Sequence, residues 1–215
     1  MKNDFSYTIM KKFFILPAVV STLLSCNISQ EDKANQLIND CMKKTVIIAD
    51  SYEPVETKMD SAFTPYDEPK FIEAAADLAK CGVKMNQIEE EIEEATSSMS
   101  TFADLYGSTF SKYEYNKYKG KLKQAQSEKN SLMQKIQSTT SKIKKMLKTK
   151  PTFIGYKAVH SYRAKNNAGQ VTFGHDLFFF DKDIKNVVAQ YDMDSEEYQA
   201  CQEVINYVKA AHNEP

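Results

Sequence analysis

The chain has 215 residues, with 28 basic and 29 acidic side chains and a formal net charge of −1. That length holds one domain or two small ones, and the balanced charge gives no global attraction to nucleic acid or to anionic lipid. Apolar residues make up 42% of the chain, enough to bury a core.

The first elements in chain order are those of a secretory signal. Lys11 and Lys12 open an apolar run, Phe13 to Leu24, that closes on Ser25 and Cys26. A basic start, an apolar middle and a small residue before the cut have this meaning. The run is about a dozen residues, against the roughly 20 that span a bilayer. Leu23-Leu24-Ser25-Cys26 resembles the lipobox of bacterial lipoproteins. The resemblance implies that residues 1–25 are removed, that the Cys26 thiol is diacylated, and that the new amino terminus is acylated too. Two or more acyl chains make membrane attachment lasting, where one does not. Met10-Lys11-Lys12 offers a second start beside Met1, because Asp4 and several polar residues precede it. Removing residues 1–25, which carry Lys2, Lys11, Lys12 and Asp4, takes the net charge to −3. Asn27 differs from the aspartate associated with inner-membrane retention, so the outer membrane is expected. Glu31-Asp32 faintly resembles surface-export signals, which leaves the periplasmic and surface leaflets both open.

Residues 26–33 are polar and expected as a tether, running into an amphipathic helix over 31–44 with Ala34, Leu37, Ile38 and Cys41 on one face. Thr45-Val46-Ile47-Ile48-Ala49 reads as one short strand, and Pro54 as the stop to regular pairing. With Pro65 and Pro69 beyond it, 50–69 is expected as extended loop. Val55, Met59, Ala62, Phe63 and Tyr66 make it a packed loop, and Tyr52 and Tyr66 are its candidate partner-binding residues.

From Pro69 the pattern is helical, with Asp67 as the expected N-cap. Met85, Ile88, Ile92, Ala95, Met99 and Phe102 alternate three and four residues apart, a heptad seam. Gly107-Ser108 reads as a turn. A second seam runs through Tyr115, Tyr118, Leu122, Ala125, Lys129, Leu132, Ile136, Thr139, Ile143 and Met146. Residues 68–100 carry a net charge of −5 and residues 112–150 a net of +10. Folding at residue 107 sets Glu89 to Glu94 against Lys119, Lys121 and Lys123. Each exposed pair is worth under about 1 kcal/mol, and the asymmetry acts mainly by selecting the partner helix. A seam of this kind can also pair between chains, in which case the protein is an assembly module.

Pro151 ends the helix and the period drops to two. Strands are expected over 152–164, 170–180 and 185–191, with a four-residue turn at Asn166-Asn167-Ala168-Gly169. Ser195 is the expected N-cap of a last helix that buries Tyr198, Cys201, Val204, Ile205 and Val208. The predicted fold is α+β: a long antiparallel helical hairpin with a three-stranded antiparallel meander and a C-terminal helix. Its parts are a signal (1–25), a tether (26–33) and one domain (34–215). That domain comprises a helix and packed loop (34–69), the hairpin (70–149), the meander (151–192) and the last helix (195–212).

Few residues offer chemistry. A four-residue turn sets His160 opposite His175 on one apolar face, close enough across strands to share a metal. No carboxylate is expected on that face, since Asp176 then points the other way, and hydrogen-bonded structural histidines are the simpler expectation. A turn of another length separates the pair. Asp60-Ser61 lacks the glycine pattern of a nucleophile elbow. The acidic run Asp181, Asp183, Asp192, Asp194, Glu196 and Glu197 lacks the spacing of a calcium loop. Cys41, Cys81 and Cys201 form no CxxC pair. At least one of them stays unpaired in an oxidising compartment, and a single disulfide among them remains open.

The segment Tyr52-Glu53-Pro54-Val55-Glu56-Thr57-Lys58-Met59-Asp60-Ser61-Ala62-Phe63-Thr64-Pro65-Tyr66-Asp67 resembles one repeated in uncharacterised lipoproteins of Gram-negative gut-type bacteria. The stretch Gly155 to Asp194, with His160-Ser161-Tyr162-Arg163-Ala164-Lys165-Asn166 inside it, is similar to the C-terminal part of that group. The group has no assigned activity, so no functional residue follows from it. The expectation is a lipid-anchored, non-enzymatic protein of the outer membrane, without cofactor or nucleic acid, that binds or scaffolds an envelope protein or a glycan. The alternative is a small metal-dependent enzyme or metal carrier built on His160 and His175.

Overall fold

A computed structural model of the protein describes residues 29–103 and 107–213; Cys26 and the signal lie outside the described residues. The elements are α1 (Gln30–Thr45), a 3-10 turn (Ala49–Ser51), β1 (Glu53–Phe63), α2 (Pro69–Ala103), α3 (Thr109–Leu147), β2 (Phe153–Lys165), β3 (Val171–Phe180), β4 (Val187–Asp192) and α4 (Glu196–Asn213). The fold is α+β, with an antiparallel sheet of four strands in the order β1-β2-β3-β4.

The sheet is the middle of three layers. On one face α1 buries Ala34, Ile38 and Met42 against Ala158, Phe178, Phe180 and Ile184. On the other face α2, α4 and the end of α3 bring Phe71, Ile72, Ala75, Cys201, Ile205 and Ile143 onto Leu177 and Phe179. Every buried member of the two clusters lies between Ala34 and Ile205. Because alternate strand residues point to opposite faces, Phe178 and Phe180 serve one cluster while Leu177 and Phe179 serve the other.

Two sequence expectations fail before α2. The apolar run 45–49 is not a strand: Thr45 ends α1, and Ile47 and Ile48 are 64% and 38% exposed. The strand lies in the segment read as loop. β1 pairs with β2 from Glu53 opposite Arg163 to Phe63 opposite Phe153, with irregularities at Pro54/Glu56 and Ala62/Phe63. β1 is an edge strand, where a missing proline N–H removes no interior bond, and its charged residues are the kind that discourage further strand addition. The tether is also shorter than read. Residues 30–33 are the first turn of α1, capped by Ser29, whose side chain accepts from the Asp32 N–H while the Asp32 carboxylate accepts from the Ser29 N–H.

The helical hairpin follows its seams. Ile88, Ala95, Ala125, Thr139 and Ile143 are buried, and the other seam positions, Lys129 included, are partly so. Both seams therefore close within the chain. Ser108 caps α3, its Oγ accepting from the Ser111 N–H at 3.0 Å, after Gly107 at φ +62°. The ion pairs across the hairpin are Lys129–Glu89 at 2.7 Å, Lys135–Asp77 at 3.2 Å and Lys84–Glu128 at 3.5 Å. Of the glutamates and lysines expected to meet, Glu91, Glu94 and Lys121 line one shallow groove between the helices. Beyond Cys81 the hairpin runs past both core clusters; residues 82–103 make an arm about 33 Å long. Asp67 does not cap α2: its carboxylate takes the Phe63 N–H at 2.9 Å and the Lys157 ammonium at 2.8 Å. Ser195 does cap α4, accepting from the Tyr198 N–H at 3.2 Å.

Candidate functional site

The β2–β3 turn decides the fate of the histidines. Lys165 pairs with Val171, so the loop has one residue more than expected. The Gly169 N–H bonds the Asn166 carbonyl, and the Asn166 N–H bonds the Gln170 carbonyl, both at 2.9 Å. Gly169 supplies a φ of +76°, the left-handed residue that closes the loop with a bulge. The register moves by one. His175 therefore faces Ser161, and His160 faces Asp176. The two imidazoles lie on opposite faces of the sheet and share no site. The one-residue shift also corrects the orientation of Asp176, which stands on the face of His160. Among the described residues no group of three or more histidine, cysteine or acidic side chains is placed to hold a metal ion.

His160 is buried, 1% exposed, under α1. Its Nε2 lies 2.8 Å from the Tyr52 hydroxyl and its Nδ1 3.0 Å from Thr57 Oγ1. The Tyr52 hydroxyl also lies 3.1 Å from Asn39 Oδ1, so it bridges the imidazole and α1. Burial lowers the imidazole pKa, with the Glu56 backbone opposing. Tyr52 is pushed up to about 12, first by burial and then by the neighbouring Tyr162 and Asp176.

Beside this group the Asp176 carboxylate, 4% exposed, accepts from Gln190 Nε2, and Gln190 Oε1 accepts from the Cys41 thiol at 3.0 Å. Burial raises the Asp176 pKa; Asp192 and Asp194 add to the rise and the Gln190 bond opposes it. The Cys41 thiol is raised by burial and then by Asp176. A thiol held protonated is a poor nucleophile, and both nitrogens of the His160 imidazole have partners within the fold. Asp60 takes the N–H of its neighbour Ser61 at 2.7 Å, and the two side chains alternate to opposite faces. Cys41, Cys81 and Cys201 are all free thiols. On the far face His175 is half exposed and bonds Asp194 through Nδ1 at 3.0 Å.

The two candidate partner residues separate. Tyr52 belongs to the interior network. Tyr66 packs edge-on against Phe71, ring centroids 5.4 Å apart, and faces a groove of about 350 Å³ between β1 and α4. The groove exists because α2 and α4 cover the β2–β4 side of this face and leave the β1 side open. Its floor is Ile72, Val159, Leu177, Phe179 and Ile205; its rim carries Lys58, Asp60, Asp67, Lys157, Tyr198, Gln202 and Lys209. An apolar floor with a few fixed polar groups is the general form of a small-molecule site, and the volume is at the small end of the usual range. The polar network went unread in the sequence because Asp176 and Gln190 join it only under the observed register. The groove went unread because its lysines come from β1, β2 and α4.

The chain matches no family model, and no curated protein or solved structure shows significant similarity to it.

Proposed function

We propose that this protein is a lipid-anchored, non-enzymatic component of the bacterial outer membrane that binds a partner through the groove between β1 and α4. The groove is the observation that carries the binding reading. It is concave and floored by apolar side chains, and it holds Tyr66, one of the two residues that sequence patterning singled out. The anchor rests on the run from Lys11 to Cys26 and its likeness to a lipobox. Among the described residues no helix is long and apolar enough to cross a membrane. The resemblance of Tyr52 to Asp67 and of Gly155 to Asp194 to envelope lipoproteins fits the same reading.

The test is Cys26→Ala in the full chain, followed by membrane fractionation and a salt wash. The altered protein should appear in the soluble fraction with its thermal midpoint unchanged. Retention on washed membranes overturns the lipid anchor.

A further inference from the structure

We infer that the groove takes an apolar ligand bearing a single anionic group, a fatty-carboxylate-like amphiphile, with its tail on the floor and its head at Lys209. This rests on the reading of the groove as a binding site and adds the chemical class of its ligand.

The charges around the rim are unequal in commitment. Lys157 is taken: its ammonium bonds Asp67 at 2.8 Å, and it stands opposite Asp60 in the β1–β2 register. Lys58 meets Glu56 at 3.0 Å in a pair that is largely solvent-exposed, a contact of little net value that a ligand can exchange. Lys209 has no carboxylate partner among the described residues, and its ammonium sits 4.9 Å from the centroid of the Tyr66 ring. With Glu56 beside Lys58 and Asp67 beside Lys157, Lys209 is the one rim ammonium without a carboxylate partner among the described residues. Beneath it, Val159, Leu177, Phe179 and Ile205 expose no side-chain polar atom. A hydroxyl set directly against those side chains would lack a partner, at a cost of about 1–3 kcal/mol, where an alkyl group would not. A cationic ligand would meet like charge at Lys209.

The chain beginning at Asn27 keeps every member of both core clusters and is the form for an amide-shift titration by NMR. The probes are decanoate, decan-1-ol and acetate. Decanoate should shift the amides of Val159, Leu177 and Lys209 and bind about tenfold or more tighter than decan-1-ol, as expected for one charge-assisted contact. Acetate should leave the floor amides in place. Lys209→Met keeps the apolar stem and should remove most of the preference for decanoate while decan-1-ol binds as before. Equal binding of decanoate and decan-1-ol at the groove, or an unchanged preference in Lys209→Met, overturns the anionic assignment and leaves the groove standing as a site. Amide shifts absent from the groove with every probe, or confined to the helical arm, overturn both.

Discussion

The Tyr52 hydroxyl stands 2.8 Å from Nε2 of His160 and ties the start of the edge strand to the middle of β2. Tyr52 is therefore an interior residue with a polar tip. Tyr52→Phe keeps the ring contacts with His160 and Tyr162 and removes the bonds to His160 and Asn39. It should cost about 1–2 kcal/mol and lower Tm by about 2–6 °C; an unchanged thermal melt would show that the bond carries no stability.

Because burial holds His160 below its ordinary pKa, the unfolded chain binds the proton more readily than the folded one. Stability from this group is full above the unfolded value of about 6.5 and is lost as pH falls through it toward the lowered folded value. The urea-midpoint advantage of the native chain over His160→Gln should shrink between about pH 7 and pH 5. In His160→Gln the midpoints should start lower, and the two curves should converge over that window. Parallel curves would show that His160 is not the titrating group.

Asp176 works in the opposite sense. Its pKa is raised in the fold, so its ionised form opposes folding above the unfolded carboxylate value of about 4. Asp176→Asn, with the Gln190 amide turned to suit, should raise Tm at pH 7. The gain should shrink as pH falls and vanish near pH 4. A loss of Tm at pH 7 would mean that Gln190 and its neighbours need the charge.

Gly155 lies at the β1–β2 irregularity with φ +147°. A Cβ there would overlap the Phe180 carbonyl oxygen, so neither the space nor the backbone suits another residue. Gly155→Ala should cost about 3 kcal/mol or more, read as a shift of the denaturant midpoint at constant slope. Gly120→Ala in the open helix α3, where an added Cβ meets nothing within 4 Å, should instead gain up to about 1 kcal/mol.

What could be read in advance divides along a physical line. The hairpin was legible because a three-four alternation over ten positions of α3 fits one geometry only, and both seams are buried or partly buried along their length. The turn at Gly107-Ser108 and the cap at Ser195 were legible because turns and caps are local. β1 was not legible: its signals are charges and a proline, which count against a strand in a sheet interior and are tolerated only at an edge. That position is a property of the whole sheet. The histidine pairing failed on one residue of turn length, since Gly169 closes a bulged loop and reverses the face of every β3 side chain relative to β2. The polar network of His160, Tyr52, Asp176, Gln190 and Cys41 then follows from register and α1 packing together, and no single stretch of sequence contains it.

The cap at Ser29 sets a limit on reach. Four peptide steps separate Cys26 from Gln30, at most about 14 Å of chain. If Cys26 carries the lipid, the first helix starts within about 14 Å of the anchored residue, and the domain rides close to the membrane as a moored hull. The Gln30 side chain bonds the Tyr156 hydroxyl at 2.8 Å, which binds that mooring point to the sheet and restricts how far the body can swing. A partner would then be met at a nearly fixed height above the lipid. Lengthening the chain between Cys26 and Ser29 would change that height without touching the fold.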